Sequence, residues 1–150
     1  MTFKEEKLSD AIEEMKPLFE IHRQEITFYK DILLNPDYEA YAKIEKAGLT
    51  RVYTARDDSN KLIGYAVFFV KGNLHYKQSL VATEDIIYVA QEYRRGTIGT
   101  RLIKFCDDEL RKLGVQVVSH HVKFDHDWSK ILLRMGYDRQ EMNLTKRLDR

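Results

Sequence analysis

One hairpin pattern constrains the fold more than any other feature of the chain. Residues 50–56 and 61–71 are rich in valine, phenylalanine and tyrosine, and the polar residues 57–60 separate them. Two such segments around a short polar turn predict an antiparallel hairpin. Residues 79–89 form a third long strand pattern, and residues 2–7 fit a short first strand. We therefore expect a sheet at the centre of the molecule.

A segment with apolar residues at helical spacing precedes the hairpin in the sequence. Apolar residues recur at helical intervals over residues 11–30, and Ser9 or Asp10 is a suitable N-cap for this helix. Pro17 lies inside the run, which predicts a kink or a break there. A second helix is expected over residues 37–48, with an aspartate as its N-cap and a glycine at its end.

Alternating elements follow the third strand. One apolar helical face consists of Ile98, Leu102, Phe105, Cys106, Leu110 and Leu113, and it ends at Gly114. Residues 115–122 predict a strand, residues 127–135 a helix capped by Gly136, and residues 137–148 one or two further strands. The predicted fold class is α+β, with a mixed, mostly antiparallel twisted sheet and helices on both of its faces.

Charge and composition exclude several classes of function. The 150 residues include 25 basic and 24 acidic side chains that are well mixed, so nucleic-acid or membrane binding is not expected. No apolar run approaches the roughly 20 residues of a membrane span. The single cysteine suits a reducing compartment. The charged N-terminus is unlike a secretory signal, so we expect a cytoplasmic protein. The sequence has no internal repeat, low-complexity stretch or linker, which predicts a single domain.

The segment from Ile86 to Leu113 reads as a strand, a short loop and a helix. A helix N-terminus presents free N–H groups and partial positive charge, which suits a phosphate. The approach carries cationic, small and hydroxyl residues, namely Arg94, Arg95, Gly96, Gly99, Thr97 and Thr100. The alternative is an ordinary connection with solvated arginines. The segment has neither the P-loop pattern nor the Rossmann glycine pattern.

The run DIIYVAQEYRRGTIGTRLIKFCDDELRKLGV resembles the acetyl-CoA-binding motif of GNAT acetyltransferases. That motif is a strand, then Arg/Gln-x-x-Gly-x-Gly/Ala, then a helix. Arg94 fits its first position and Gly99 its last, whereas Thr97 replaces the first glycine. The runs ARDDSNKLIGYAVFFV and WSKILLRMGY resemble neighbouring parts of the family, so the likeness covers about residues 50–140. The Tyr-Arg-Arg-Gly loop and the His-Val-Lys strand are most similar to phage-encoded members, which would act in the host cytoplasm.

This resemblance implies how acetyl-CoA binds. The strand ending at Val89 would splay from the strand at 115–122, and its backbone would pair with the pantetheine arm. Amides of the loop would hold the pyrophosphate. The implied cofactor-binding residues are Ile87, Tyr88, Val89, Arg94, Arg95, Gly96, Thr97, Ile98, Gly99 and Thr100. The acetyl group would pass directly to a primary amine of a small molecule or protein, and the family also allows a homodimer.

Glu84 and Asp85 are the candidates for the base that deprotonates the amine. Strand side chains alternate, so one of the two should face the cleft, and Glu84 is slightly favoured. The family's tyrosine acid, four residues before the glycine that ends the last helix, corresponds here to Leu132. His126 is a substitute for it, since histidine exchanges protons near neutral pH.

Other site residues are weaker candidates. The residues proposed for acceptor binding are His22, Glu25, Tyr29 and Tyr76. No metal is expected, because adjacent histidines on a strand diverge. Two other functions stay open at this point: a GNAT-shaped module that has lost turnover and holds a protein partner, and a nucleotide-binding fold of another kind.

Overall fold

The computed structural model describes all 150 residues. Its strands and helices are β1 (Thr2–Glu6), α1 (Leu8–Ile26), α2 (Tyr38–Lys46), β2 (Thr50–Arg56), β3 (Leu62–Gly72), β4 (Leu80–Val89), α3 (Ile98–Lys112), β5 (Val115–Ser119) and α4 (Ser129–Arg134). A 3₁₀ turn at Gln91–Tyr93 follows β4. No helix combines the length and the apolar character that crossing a bilayer requires.

The five strands form one sheet in the order β1-β2-β3-β4-β5. The first four are antiparallel neighbours, and β5 joins β4 in parallel. The predicted β2–β3 hairpin is confirmed, and residues 57–61 connect its two strands. The sheet is mixed and mostly antiparallel, as the sequence predicts.

Helices cover both faces of the sheet. Leu102, Cys106 and Leu110 of α3 are buried on one face, where they pack with residues such as Tyr53 and Phe68. The opposite face is covered by α1, whose buried residues Leu8, Ala11 and Met15 pack with Val52 and Val67. The predicted α+β class with helices on both faces is therefore confirmed.

The first helix differs from its prediction at both ends. It spans residues 8–26, and its N-cap is Lys7, which makes no side-chain capping bond. The carboxylate of Glu45, on α2, instead accepts the N–H groups of Leu8 and Ser9. The helix also continues without a break through Pro17. Burial of its face on both sides of the proline accounts for this, since packing outweighs the loss of one hydrogen bond.

The C-terminal prediction is wrong: residues 137–150 contain no strand. Their apolar side chains alternate in sequence, but Met142, Leu144 and Leu148 are 69–86% exposed. Alternation stabilises a strand where one side is buried against a partner, and this segment has no such partner. Strand β5 likewise ends at Ser119 rather than at residue 122.

Candidate functional site

A gap opens between β4 and β5, as the resemblance predicts. Strand β5 pairs only with residues 80–83 of β4, so residues 84–89 have no partner strand on that side. The backbone N–H of Ala90 donates to Ile63 on β3. In an antiparallel ladder the backbone groups of successive residues point to alternate sides. The N–H and C=O of Tyr88 therefore also point toward β3, and those of Ile87 and Val89 point into the gap.

Beyond this gap, six consecutive backbone amides lack a partner. Arg94 N–H donates to the Gln91 carbonyl and Arg101 N–H to the Thr97 carbonyl, but the N–H groups of residues 95–100 bond to nothing within the chain. No side chain caps α3 either. Gly96 has a φ of 132°, which a residue with a side chain rarely adopts. This arrangement is typical of an anion-binding turn.

There is room beside these amides. A Cβ atom added at Gly99 would meet no heavy atom within 4 Å. The hydroxyls of Thr97 and Thr100 make no hydrogen bond, and Arg95 makes no ion pair. The turn therefore offers free donors of three kinds around open space, which fits a pyrophosphate.

Unlike the other donors of the loop, the Arg94 side chain already makes hydrogen bonds within the chain. Its Nε donates to the Val89 carbonyl at 2.7 Å, and one terminal nitrogen donates to Glu25 Oε2 at 2.7 Å. Its guanidinium also lies 5.4 Å from the centre of the Tyr88 ring. Arg94 thus connects the loop to β4 and α1. Glu25, which the sequence predicts as an acceptor-binding residue, is instead the ion-pair partner of Arg94.

A β-bulge separates the two candidate bases. Glu84 faces Phe68 of β3 and Ile86 faces Val67, which leaves Asp85 without a partner. Glu84 lies on the face covered by α3, whereas Asp85 accepts a hydrogen bond from the hydroxyl of Tyr41 on α2. The two carboxylates therefore serve different faces of the sheet.

Glu84 belongs to a buried chain of polar groups. Its Oε2 lies 2.7 Å from Nδ1 of His120, and the two side chains are 6% and 1% exposed. Nε2 of His120 lies 3.3 Å from the Tyr137 hydroxyl, which donates to Asp107. Burial raises the pKa values of both Tyr137 and Asp107. Sequence reasoning did not connect these four residues, since they lie on four separate segments of the chain.

A cavity of about 430 Å³ lies on the opposite face, between α1, the α1–α2 connection and β4. Its lining includes His22 and Asp85 and is otherwise largely apolar. Sequence reasoning proposed both of these residues but missed Tyr41, which also lines the cavity.

His22 is strongly affected by its position in this cavity. It is 8% exposed, and its Nδ1 has no hydrogen-bond partner. Burial lowers the pKa of His22 to about 4; the positive charges of Arg94, His126 and Lys123 act in the same direction, and Glu25 opposes them. His22 is therefore a neutral imidazole at pH 7, with an unused polar atom.

The structure places the remaining candidates elsewhere. Tyr29 lies 3.1 Å from the Thr145 hydroxyl, and Tyr76 is 61% exposed on the β3–β4 connection. His126 lies three residues before α4, which begins at Ser129 rather than at residue 127 as predicted. It lies in an exposed turn bridged to Lys123, near enough to influence His22. Leu132, at the position of the family's acid, is buried.

Solved structures of known proteins share this fold over nearly the whole chain. A ribosomal-protein-alanine N-acetyltransferase from Brucella melitensis biovar Abortus 2308 has a TM-score of 0.72 at 17% identity, covering 99% of this chain and 100% of that chain. An aminoglycoside acetyltransferase from an uncultured soil metagenomic sample, in complex with sisomicin, has 0.76 at 18%, covering 99% and 96%. Glucosamine-6-phosphate N-acetyltransferase from Arabidopsis thaliana has 0.70 at 13%, covering 99% and 100%. At these identities the likeness establishes the fold.

Sequence comparison gives the family. No curated protein matches the chain significantly. The acetyltransferase (GNAT) family, however, matches residues 12–137. That range runs from the second turn of α1 to the residue after Gly136, beyond α4, and it contains every element around the gap. The chain therefore belongs to the GNAT family of acetyltransferases.

Proposed function

We propose that the protein is an N-acetyltransferase that moves the acetyl group of acetyl-CoA, the cosubstrate of its family, to a primary amine. The observation that carries this proposal is the run of six unpaired amides at residues 95–100, beside the open edge of β4. These amides and the Arg95 side chain would bind the pyrophosphate. The backbone groups of Ile87 and the N–H of Val89, whose carbonyl already accepts Arg94 Nε, would pair with the pantetheine arm.

Acetyl-CoA supplies the acetyl group as a thioester. The transfer forms a bond between the acetyl carbonyl carbon and the amine nitrogen, and it breaks the carbon–sulfur bond. One proton must leave the nitrogen, and the departing thiolate must receive one. We propose Asp85 as the base, because it lines the cavity on the amine side, whereas Glu84 is buried against His120. His126 remains our candidate for the thiolate's proton, since Leu132 cannot supply it.

An alternative function is a binding module of this fold that has lost turnover and holds a protein partner. The buried Leu132 at the position of the usual acid favours it. A single domain, a cytoplasmic location and a homodimer remain part of our proposal. The likeness of the loop to phage-encoded members is a hypothesis of the same standing.

The test is a thermal-shift titration with acetyl-CoA, with ATP as the control ligand. Ligand at 100 times its Kd adds about 2.7 kcal/mol to the stability of the native state. For a chain of this size that raises the melting temperature by roughly 5–10 °C. We expect a shift of this order with acetyl-CoA and little with ATP. An equal shift with both, or none with acetyl-CoA at millimolar concentration, would contradict the cofactor assignment.

A matched pair of variants locates the binding. Gly99→Asp places a carboxylate in the open space beside the amides, and Gly72→Asp makes the same change at the end of β3, where a Cβ also meets nothing within 4 Å. We expect Gly99→Asp to abolish the acetyl-CoA shift while the unliganded melting temperature changes little. Gly72→Asp should keep the shift. Thiol release from acetyl-CoA with amines then separates an enzyme from a binding module.

A further inference from the structure

The wall of the cavity between α1, the α1–α2 connection and β4 is mostly hydrophobic. Its apolar residues include Leu8, Ile12, Phe19, Ile26, Leu34 and Ile86. The volume of about 430 Å³ is within the range of sites for small molecules. A heavily hydroxylated ligand would lose its hydration against such a wall without regaining hydrogen bonds. The wall therefore favours a ligand with an apolar body.

The charges in the cavity favour a single cation and disfavour an anion. Arg23 is the one cation in the lining, and its guanidinium already donates to the carbonyls of Lys30 and Ile32, at 3.0 and 2.9 Å. Asp37 accepts the Ala40 N–H with Oδ1 as the N-cap of α2, and the partial positive charge of that helix end offsets its own charge. Asp85 uses Oδ2 for Tyr41, while its Oδ1 has no partner. One carboxylate oxygen is thus available at the β4 end, with no free cation for a phosphate.

His22 supplies a second polar contact. It is more than nine-tenths buried, it lines the cavity, and its Nδ1 has no partner in the chain. Buried polar atoms are nearly always paired, so an unpaired one on a residue that lines a cavity is a candidate partner for a ligand group. The cavity therefore offers two separated polar points, at Asp85 and at His22, within an apolar surface.

We infer that the acceptor is a small primary amine with an apolar body, of the arylalkylamine or alkylamine class, whose nitrogen binds at Asp85 and whose body fills the cavity beside His22. This inference rests on the proposed function and narrows it to one class of acceptor. It excludes sugar phosphates, which need a free cation, and polycationic aminoglycosides, which need several free carboxylates.

The experiment measures binding and turnover separately. Phenethylamine, tyramine and hexylamine are compared with glucosamine 6-phosphate, kanamycin and a lysine-containing peptide. Saturation-transfer NMR in the presence of CoA reports binding, and thiol release from acetyl-CoA reports turnover. We expect kcat/KM for the apolar amines to exceed that for each other acceptor by at least tenfold.

Matched variants on α1 test the location. Ile26→Trp fills the cavity, whereas Ile21→Trp makes the same change at a residue that is 49% exposed and outside the lining. We expect Ile26→Trp to raise the Kd for phenethylamine at least tenfold and Ile21→Trp to leave it unchanged. His22→Phe should raise the KM for tyramine severalfold. His22→Asn, which keeps a polar atom near the position of Nδ1, should recover part of that loss.

The outcomes separate this inference from the proposed function. Acetylation of sugars, aminoglycosides or the peptide in preference to apolar amines would overturn the inference while the acetyltransferase proposal stands. Equal binding of phenethylamine by both tryptophan variants would overturn the location. Binding that Ile26→Trp abolishes, without thiol release from wild-type protein, would support the amine site and contradict the enzymatic proposal.

Discussion

At the residue scale, the adjacent carboxylates Glu84 and Asp85 have different chemistry, because side chains alternate along β4 and these two lie on opposite faces of the sheet. Asp85→Asn should lower kcat by about 10²-fold, the lower range for loss of a general base, with an unchanged KM for acetyl-CoA. Glu84→Gln removes the charged partner of His120 and should mainly lower the melting temperature. Steady-state kinetics and thermal unfolding check both variants. A larger loss of kcat in Glu84→Gln, at unchanged stability, would assign the base to Glu84.

His22 should make stability depend on pH. Its pKa is 6.5 in its ordinary state and about 4 in the folded protein, so below pH 6.5 the unfolded chain binds a proton that the folded one refuses. Because the folded pKa is lowered, the contribution to stability is complete above pH 6.5 and is lost as the pH falls toward 4. From pH 7 to pH 5 the loss from this residue is about 2 kcal/mol.

Urea unfolding at pH 7 and pH 5 measures this loss. The free energy of unfolding should differ between pH 7 and pH 5 by about 2 kcal/mol less in His22→Asn than in the wild-type protein. His75→Asn is the matched control, since this histidine is exposed on the β3–β4 connection. If both variants keep the wild-type difference, His22 is not the group responsible.

At the scale of elements, one arginine joins three of them. Arg56, on β2, is 4% exposed, and its guanidinium binds Glu6 of β1 at 2.9 Å and Glu14 of α1 at 2.8 Å. Arg56→Met removes the charge-assisted hydrogen bonds to both carboxylates, leaves the partly buried Glu6 with only Thr54 and Lys4 as partners, and should cost about 3 kcal/mol of stability by urea unfolding. Arg111→Met, at an exposed ion pair on α3, should cost little. Equal losses in the two variants would contradict a joining role for Arg56.

Elements whose determinants are local in sequence were predicted well. The β2–β3 hairpin and α3 follow from their own spacing and turns, and the unpaired amides of residues 95–100 follow from the start of α3. The start of α1 was not predicted correctly, because the side chain that caps it, Glu45, lies on another helix. The bulge at Asp85 likewise depends on the register with β3, which the sequence of β4 does not reveal.

At the scale of the whole molecule, the C-terminal segment is the part whose role depends on contacts distant in sequence. Both cores and the sheet lie within residues 2–132, and the C-terminal segment adds contacts to the α1–α2 connection. Arg147 pairs with Asp31 at 3.0 Å and lies 5.3 Å from the Tyr29 ring centre. Since residues 33–37 of that connection also line the cavity, we expect the segment to hold one wall of the proposed acceptor site from outside. The strand-like alternation in its sequence does not indicate such a role.

Removing residues 144–150 should therefore separate stability from acceptor binding. The lost contacts are exposed ion pairs and hydrogen bonds, so the melting temperature should change by no more than about 2 °C. The KM for phenethylamine should rise severalfold, because the loosened connection no longer holds the cavity wall, while the KM for acetyl-CoA stays unchanged. Arg147→Ala should reproduce part of the effect. Arg139→Ala, whose side chain binds Ser129 instead, should not. A large fall in melting temperature would instead make the segment part of the folded core.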